Sequence, residues 1–398
     1  MTPHDWKDLV IRASSHYETP FYLFSPEPIK NQLNLISNKF GRNVKNWLSI
    51  KTLPLKLLLR WWLSTGLGVE AASEYELLAA LNEGFSPENI IVNGVAKHFW
   101  EANTWVNRLR INIDSKNELK HLIRTAKEMK WRIGLRFHPS VQNDPEDSRC
   151  PDQFGLPTKE FIEAINLLRE HCIELDTIHI HLRSNVPNVE WFIKALHELK
   201  LLVEKNNIIF NCIDLGGGLP AKGEKQLDET WNSTLKLVDL GKAINLCNDM
   251  FPFINEIILE NGRFLLSNCG VLVLKINDIK YMKNIRHLIC DGGRTNHALP
   301  SDWQSHKIEI LPNRVGKPIY TAICGPTCMA FDCIAKIHLP DDICTGDKII
   351  WFNAGAYHLS WETRFSQPLA RVLWHNEKNQ LVEARKKENF NEWWGRWR

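Results

Sequence analysis

The chain has 398 residues, enough for two domains, and its hydrophobic fraction of 44% and charged fraction of 24% are those of an ordinary globular protein. These values exclude a disordered, collagen-like or disulfide-scaffold protein, and a net charge of +3 is too small to indicate a nucleic-acid-binding protein. The ten cysteines include no CxxC pair, and the N-terminus has no apolar signal region. Lys56 and Arg60 interrupt the most apolar stretch. We therefore expect reduced thiols, no membrane span and a cytoplasmic location.

Apolar runs typical of strands alternate with helix-period segments between residues 26 and 265. Ser73 with Glu76, and Ser115 with Glu118, have the spacing of capping boxes at helix starts. Such alternation favours a parallel (β/α)8 barrel, with a doubly wound open sheet as the alternative. Eight strands are predicted, at residues 46–51, 67–71, 89–93, 109–113, 131–137, 175–181, 208–215 and 256–259.

The pattern changes after residue 266, where short β-rich runs are separated by Gly, Pro and Asp turns without room for helices. This pattern predicts an antiparallel β domain, a sandwich or small barrel. We assign residues 26–265 to the (β/α)8 barrel, and residues 1–25 and 266–398 to the β domain.

Three predicted strand ends carry residues suited to chemistry, and barrel active sites lie at the carboxyl ends of strands. Lys51 closes the first strand, where partial desolvation would favour a nucleophilic amine, although a lysine at a strand end more often reaches to solvent. Gly216, Gly217 and Gly218 follow the seventh strand and would expose consecutive N–H groups as a phosphate cradle. A dinucleotide-binding turn and a plain tight turn are the alternatives. Glu260 follows the eighth strand.

Other polar residues allow more than one interpretation. Glu260 and Arg263 would either pair with each other, or contact a ring nitrogen and a phosphate of one ligand. His179 and His181 share a strand face, but no third ligand stands at a characteristic spacing. We therefore expect a stacked or buried histidine and no metal site.

The ordered set of motifs resembles one family over nearly the whole chain. The set comprises a strand-end lysine, Gly-Gly-Gly, Glu-x-Gly-Arg, Gly-Pro-Thr-Cys-x-x-x-Asp at 325–332, and Gly-Ala-Tyr at 355–357. In this order the motifs are similar to those of the fold-type III pyridoxal-phosphate decarboxylases, which include ornithine, diaminopimelate and arginine decarboxylases. The resemblance implies an alanine-racemase-like barrel plus a β domain, with pyridoxal 5'-phosphate as cofactor.

The resemblance also implies residue roles. Lys51 would bind the cofactor covalently, His181 would stack on its ring, and Glu260 would keep its pyridine nitrogen protonated. Cys328 would return a proton to the substrate from a partner subunit, which implies a homodimer with shared sites. Arg136 and Glu70, which stands where the family usually has Asp, would line the cofactor pocket. The phosphate would be held by Ser184, Gly216, Gly217, Gly218, Arg263 and Tyr357, and Gly262 would also belong to the cofactor site.

Departures from the family pattern concern the substrate. Arg183 replaces a glycine of the family's His-x-Gly-Ser, and Met329 replaces the acidic residue that meets the distal ammonium of diamino substrates. The Arg-Pro typical of diaminopimelate recognition is Leu299-Pro300 here. Arg294 adds a cation to a loop that borders the substrate in the family. We therefore expect a substrate with a negative or neutral polar distal group. The alternative is that Arg183 pairs with a nearby carboxylate such as Glu190 and that Arg294 faces solvent.

The combined interpretation is an enzyme that decarboxylates an amino acid, or an amino-acid-containing biosynthetic intermediate, other than diaminopimelate or ornithine. A natural-product pathway would suit the altered substrate contacts. A racemase or epimerase on the same fold is one alternative. The other is a non-catalytic regulatory homologue, against which the retained Lys51, Glu260, Arg263 and Cys328 argue.

Overall fold

The computed structural model describes residues 1–143, 152–221, 225–227, 232–297 and 300–397. Within these ranges no helix is both long and apolar enough to cross a membrane. The helices are α1 Pro3–Ser14, α2 Glu27–Ser37, α3 Lys56–Leu63, α4 Glu74–Asn82, α5 Lys116–Glu128, α6 Thr158–Glu170, α7 Glu190–Asn206, α8 Leu237–Met250, α9 Arg263–Leu266, α10 Arg294–His297, α11 Pro300–Trp303, α12 His358–Trp361 and α13 Phe390–Gly395.

The strands, in chain order, are β1 Phe21–Phe24, β2 Val44–Asn46, β3 Leu48–Ser49, β4 Val69–Ala71, β5 Ile90–Val92, β6 Arg110–Ile113, β7 Arg132–Arg136, β8 Leu175–His179, β9 Cys212–Asp214, β10 Lys225–Gln226, β11 Glu256–Leu259, β12 Gly270–Met282, β13 Ile285–Cys290, β14 Gln304–Ser305, β15 Ile308–Leu311, β16 Pro318–Cys324, β17 Cys333–Pro340, β18 Lys348–Trp351, β19 Arg371–His375 and β20 Leu381–Arg385. The chain divides into two compact units, which are Leu33–Pro220 with Trp231–Phe264, and Met1–Gln32 with Ala221–Thr230 and Leu265–Arg398.

The first unit is a parallel barrel. Its sheet runs in the order β2-β11-β9-β8-β7-β6-β5-β4-β3, and every neighbouring pair is parallel. β2 and β3 are the halves of one strand that is interrupted at Trp47. Trp47 N–H donates to Leu259 O at 2.9 Å, and Leu48 N–H donates to Gly68 O at 3.1 Å. The divided strand therefore joins both ends of the sheet, which confirms the predicted barrel and excludes an open sheet.

Side-chain caps begin two of the barrel helices at the predicted residues. Ser73 Oγ accepts from Glu76 N–H at 3.3 Å, and Ser115 Oγ accepts from Glu118 N–H at 3.1 Å. The reciprocal half of each capping box differs, because the Glu76 carboxylate accepts from the N–H of Ala72, one residue before the cap. Both helices therefore begin where the sequence predicts. The carboxylates of Glu76 and Glu118 also hold the backbone of the loop before each helix, at Ala72 and Asp114.

Buried charges close the amino-terminal end of the barrel. Arg110, at the start of β6, is 1% exposed and donates to Glu256 at 2.8 Å, and its Nε lies 3.2 Å from the Asp176 carboxylate. Its guanidinium stacks 5.6 Å from the Trp47 ring. These charged side chains occupy the amino-terminal end of the barrel interior, whereas barrel active sites lie at the carboxyl ends of the strands.

The second unit is built on a sheet in the order β17-β16-β13-β12-β1-β19-β20, with β18 also paired to β12 and β15 paired to β18. Most pairings are antiparallel, as predicted, but β1 with β19 and β13 with β16 are parallel. The sheet is therefore mixed. Helix α1 packs on it through an apolar cluster that includes Trp6, Leu9, Val10, Phe21 and Val271.

Candidate active site

A buried carboxylate holds the amine of Lys51 at the carboxyl end of the barrel. Lys51 lies in a 3-10 turn that follows β3, and Glu70 lies on the neighbouring strand β4. Lys51 Nζ donates to Glu70 Oε2 at 2.6 Å and to Ser49 Oγ at 2.7 Å. The Lys51 side chain is 42% exposed, whereas that of Glu70 is 1% exposed. The amine is thus oriented by a buried partner while it stays accessible to a ligand.

The amide of Asn93 joins Glu70 to a second buried carboxylate. Asn93 follows β5, and its Nδ2 donates to Glu260 Oε1 at 2.6 Å and to Glu70 Oε1 at 3.2 Å. Its Oδ1 accepts from Asn112 Nδ2 at 2.9 Å. Because one side chain bridges the two carboxylates, Lys51 and Glu260 belong to a single hydrogen-bonded network.

Glu260 is the ionised member of a buried carboxyl pair. Burial alone would raise the pKa of Glu260, but His179, a hydrogen bond with Asp214 and the Lys51 ammonium lower it below its usual value. His179 Nε2 lies 3.6 Å from Glu260 Oε2. Burial, together with Glu260, raises the pKa of Asp214 well above its usual value. Asp214 therefore carries the proton of the pair, and Glu260 presents a carboxylate.

His181 is a neutral imidazole of defined tautomer. Burial, with the Arg136 cation as the next cause, lowers the pKa of His181 to about 3. Its Nδ1 accepts a hydrogen bond from Gly217 N–H at 3.1 Å. The proton of the neutral ring therefore sits on Nε2. A neutral ring can lie against a flat ligand without the desolvation cost of a charge.

The Gly216–Gly218 loop accepts no side chain. A Cβ on Gly216 would lie 2.7 Å from His181 Nδ1, and a Cβ on Gly218 would lie 2.2 Å from the Arg183 carbonyl oxygen. Both residues have positive φ, of 64° and 93°. The predicted row of exposed N–H groups is wrong in part, because Gly216 N–H donates to Asp214 at 2.8 Å and Gly217 N–H donates to His181. The loop fixes these two side chains as well as offering backbone to a ligand.

A cavity of about 270 Å³ brings several predicted residues together. Arg136 lines it, with its guanidinium 4.6 Å from the Phe154 ring and 3.6 Å from Asp114 Oδ1. Arg183 lies 5.5 Å from the Trp191 ring. Asp152 also lines the cavity, so its lining carries one carboxylate beside the two guanidinium groups. The full lining is Arg136, Gln142, Asp152, Gln153, Phe154, His181, Leu182, Arg183, Ser184 and Trp191.

Gly262 and Arg263 follow Glu260 at the end of the barrel sheet. A Cβ on Gly262 would come within 2.2 Å of Thr52 Oγ1, so this position accepts only glycine. Arg263 is the first residue of α9. In the β-domain unit, Tyr357 has a φ of 66° and immediately precedes α12.

The turn that carries Cys328 is organised by Asp332, the last residue of the predicted motif. The Asp332 carboxylate accepts from Thr327 N–H at 3.0 Å, Thr327 Oγ1 at 2.5 Å and Arg294 N–H at 2.8 Å. Cys328 is exposed. The Met329 N–H donates to Thr327 Oγ1 at 3.3 Å.

Arg294, which the family resemblance places in a loop bordering the substrate, is paired with the Asp302 carboxylate. Its NH1 donates to Asp302 Oδ2 at 3.1 Å, and its NH2 also contacts the same carboxylate. Its charge is therefore balanced within the β-domain unit. Leu299, which replaces the arginine of the family's Arg-Pro, lies outside the described residues.

Sequence reasoning missed the polar residues that connect the predicted ones: Asn93, Asn112, Asp114 and Asp214. Asn93 and Asp214 were detectable, since each is a polar residue at the end of an apolar strand, where barrel chemistry is found. Three ligand atoms of His179, His181 and Glu260 lie within 4.8 Å of one another. The hydrogen bond from Gly217 N–H to His181 Nδ1 uses one of the lone pairs that a metal would need.

The residues present fit pyridoxal phosphate. The barrel unit supplies an accessible amine, an ionised buried carboxylate, a neutral imidazole and a glycine loop that a Cβ would fill. Lys51, Glu260, His181 and Gly216–Gly218 are thus the residues that would hold the amine-reactive carbon, the ring and the phosphate of this cofactor.

Comparison with known proteins agrees with this fit. Residues 27–267 match the family described as pyridoxal-dependent decarboxylase, pyridoxal binding domain. An L-glutamyl-[BtrI acyl-carrier protein] decarboxylase from Niallia circulans is 28% identical over 385 residues, covering 88% of this chain and 87% of the relative. A diaminopimelate decarboxylase from Helicobacter pylori is 26% identical over 394 residues and 95% of both chains.

The solved structures agree on the fold. Diaminopimelate decarboxylase from Helicobacter pylori, complexed with L-lysine, superposes with a TM-score of 0.82 at 24% identity, and 98% of each chain is covered. The arginine decarboxylase of Paramecium bursaria Chlorella virus gives a TM-score of 0.76 at 19% identity, covering 94% of this chain and 99% of that one. Since the family match spans more than half of the chain, the chain belongs to the pyridoxal-dependent decarboxylases, and its cofactor is pyridoxal phosphate.

Proposed function

We propose that the chain decarboxylates an amino acid, or an amino-acid-containing biosynthetic intermediate, whose distal group is negative or neutral and polar. The observation that carries the proposal is the cavity in which Arg183 lies beside Arg136, His181 and Ser184. A cation at this position disfavours an ammonium tail and favours a carboxylate or a polar amide.

Pyridoxal phosphate, when bound, acts as an electron sink for the bond that breaks at the substrate Cα. Lys51 would bind the cofactor through Nζ, and Glu70 would hold that nitrogen in place. Glu260, being ionised, would keep a proton on the pyridine nitrogen, and His181 would cover the ring. Ser184, Gly218, Arg263 and Tyr357 would bind the phosphate.

Cys328 would return a proton to Cα once carbon dioxide has left. Its exposed turn is held by Asp332, and a rigid turn places the thiol without a cost in conformational entropy. Lys51 would be the alternative donor of this proton to the substrate Cα.

The substrate proposal has three supports. Met329 places a thioether where an acidic side chain would pair with a distal ammonium. A buried hydrogen bond to a charged group is worth about 1.5–3 kcal/mol, so its loss would weaken binding of a diamino acid about ten- to a hundredfold. Arg183 lines the cavity. One relative, at 28% identity, is named for a glutamyl group on a carrier protein, which is a substrate without a distal ammonium.

A substrate panel tests the proposal. Purified holoenzyme is incubated with diaminopimelate, lysine, ornithine, arginine, acidic and neutral amino acids, and their conjugates, including glutamate on a carrier protein, while carbon dioxide is measured. We expect turnover only with substrates whose tail is negative or neutral and polar. Release of carbon dioxide from a free diamino acid at about 1–1,000 per second would contradict the proposal.

Two substitutions separate the contributions of Met329 and Arg183 to substrate choice. Met329→Glu should raise activity towards ornithine or lysine relative to the best substrate, and Met282→Glu, at a residue that is 63% exposed in β12, is the matched control. Arg183→Gly restores the family residue and should raise KM for an acidic substrate more than kcat changes. Arg124→Gly, on the exposed face of α5, should leave both constants near wild type.

We further propose a homodimer in which Cys328 completes the site of the partner subunit. Support comes from the exposed position of the Cys328 turn. Mixing inactive Lys51→Ala and Cys328→Ala proteins should restore about a quarter of wild-type activity in a randomly exchanged dimer with two sites. Cys344→Ala, at another exposed cysteine, should remain active without mixing. No recovery despite demonstrated subunit exchange would contradict the proposal.

A further inference from the structure

Three histidines from separate segments converge within the β-domain unit. His297 ends α10, His306 follows β14, and His358 begins α12. One ring nitrogen of each lies within 4.8 Å of the others. The ring centroid of His297 lies 4.8 Å from that of His306 and 4.6 Å from that of His358. The centroids of His306 and His358 are 5.1 Å apart.

Two of the three rings have the tautomer that metal ligation requires. His306 Nδ1 lies 2.9 Å from Phe352 O, and His358 Nδ1 lies 3.0 Å from Ala356 O. A carbonyl oxygen only accepts, so each Nδ1 carries the proton and each Nε2 carries the lone pair. Metal-ligating histidines typically donate their second ring N–H to a backbone carbonyl, which orients the ring in the same way.

The third ring is buried without the hydrogen bonds that it needs. His297 is 0% exposed, and neither Nδ1 nor Nε2 has a hydrogen-bond partner among the described residues. The indole Nε1 of Trp351, whose ring lies 4.5 Å from that of His297, is also buried without a partner in the described part of the chain. Such groups are costly to leave unsatisfied, so two together indicate a missing ligand.

We propose that His297, His306 and His358 bind a divalent transition-metal ion of the zinc class. Three imidazole ligands with no acidic side chain among them suit zinc and exclude calcium and magnesium, which prefer oxygen. Tetrahedral zinc with bonds of about 2.0–2.1 Å places ligand nitrogens about 3.4 Å apart, so the three atoms need only small movements to bind. A fourth position remains for water, for which the Trp351 N–H is a donor.

Access and charge are compatible with binding. His306 is half-buried, although its Nε2 is itself buried, so its side chain is the one ligand of the three that reaches solvent. Arg294, a cation that acts on His297 from three residues before it, is paired with Asp302. Because His358 directly follows Tyr357, the ion would also fix the start of α12, where the cofactor phosphate is expected to bind.

Metal analysis of the full-length holoprotein tests the proposal. The protein is dialysed against a chelator, loaded with zinc alone, passed through gel filtration and assayed for metal by mass spectrometry. We expect about one zinc per chain in the wild type. His306→Gln changes the half-buried ligand and should lower zinc affinity at least about a hundredfold, as should His358→Gln. His338→Gln, at an exposed histidine of β17, should bind as the wild type does.

Cobalt substitution of the wild-type protein gives a second readout, which does not require any variant to fold. Wild-type protein loaded with Co²⁺ should show the visible absorption of a four-coordinate nitrogen site, and His306→Gln should lack it. His181→Gln separates this cluster from the one at the cofactor site and should keep both zinc and the cobalt band. Zinc below about a tenth of an equivalent in the wild type, or binding lost in His181→Gln but kept in His306→Gln, would overturn the proposal.

Discussion

Replacing Asn93 with alanine tests whether the hydrogen-bonded network between Lys51 and Glu260 stabilises the folded protein as well as orienting these two side chains. The amide makes three hydrogen bonds, two of them to the carboxylates of Glu70 and Glu260. Bonds to charged groups are worth about 1.5–3 kcal/mol each and neutral ones about 0.5–1.5 kcal/mol, but Glu70 keeps Lys51 and Ser49 as partners. We therefore expect Asn93→Ala to lower the free energy of unfolding by about 3–5 kcal/mol.

Urea unfolding of the cofactor-free protein, extrapolated linearly to water, measures this loss. Asn89→Ala is the matched control, because Asn89 is exposed immediately before the same strand and should cost less than about 0.5 kcal/mol. The variant should also retain less cofactor after gel filtration, since both Lys51 and Glu260 lose their orientation. A stability within about 1 kcal/mol of wild type, with normal cofactor content, would show that the bridge does not hold the two carboxylates.

Two further outcomes follow from the glycine loop and from His181. Gly218→Ala should lose most of its cofactor, measured by visible absorbance, because its Cβ would meet the Arg183 carbonyl oxygen. Gly66→Ala should keep its cofactor, because Gly66 has a similar φ of 74° but no neighbour within 4 Å of an added Cβ. Equal cofactor retention in the two variants would contradict a crowded Gly216–Gly218 loop. Because the pKa of His181 falls to about 3 in the folded protein, its stabilising effect is full above the unfolded value near 6.5 and is lost as pH falls towards 3. When the pH falls from 7 to 5, the free energy of unfolding of the cofactor-free wild type should therefore fall by about 1 kcal/mol more than that of His181→Asn, a value that allows for partial exposure of the His181 side chain. Equal losses in the two proteins would contradict a neutral His181.

The barrel was predictable because its strands are short apolar runs at regular intervals, and local periodicity carries that signal. The division of the first strand at Trp47 was not, since Val44–Asn46 is largely polar and Leu48–Ser49 has only two residues, so neither half has a strand pattern of its own. The parallel pairing of β1 with β19 joins segments from opposite ends of the chain, and local pattern does not encode which distant strands meet.

The residues of the candidate site also include some that the sequence pattern predicts and some that only the fold reveals. That Lys51 and Glu260 lie at the carboxyl end of the barrel was predictable, because each follows a short apolar strand, whereas the roles expected of them come from the family resemblance. The roles of Asn93 and Asp214 depend on which residues face them across the barrel, and the sequence does not state that. The histidines at 297, 306 and 358 are too widely spaced for a metal-ligand motif, so their convergence is visible only in the fold.

Borohydride reduction of the holoenzyme, followed by peptide mapping, tests most directly our proposal that Lys51 carries the cofactor. Lys51 is oriented by a buried carboxylate and still accessible, and Lys56, a little further along and paired with Glu83, is the matched control. We expect the reduced cofactor on Lys51 alone, its loss in Lys51→Arg, and normal labelling in Lys56→Arg. Label on any other lysine, or labelling that survives Lys51→Arg, would contradict the account.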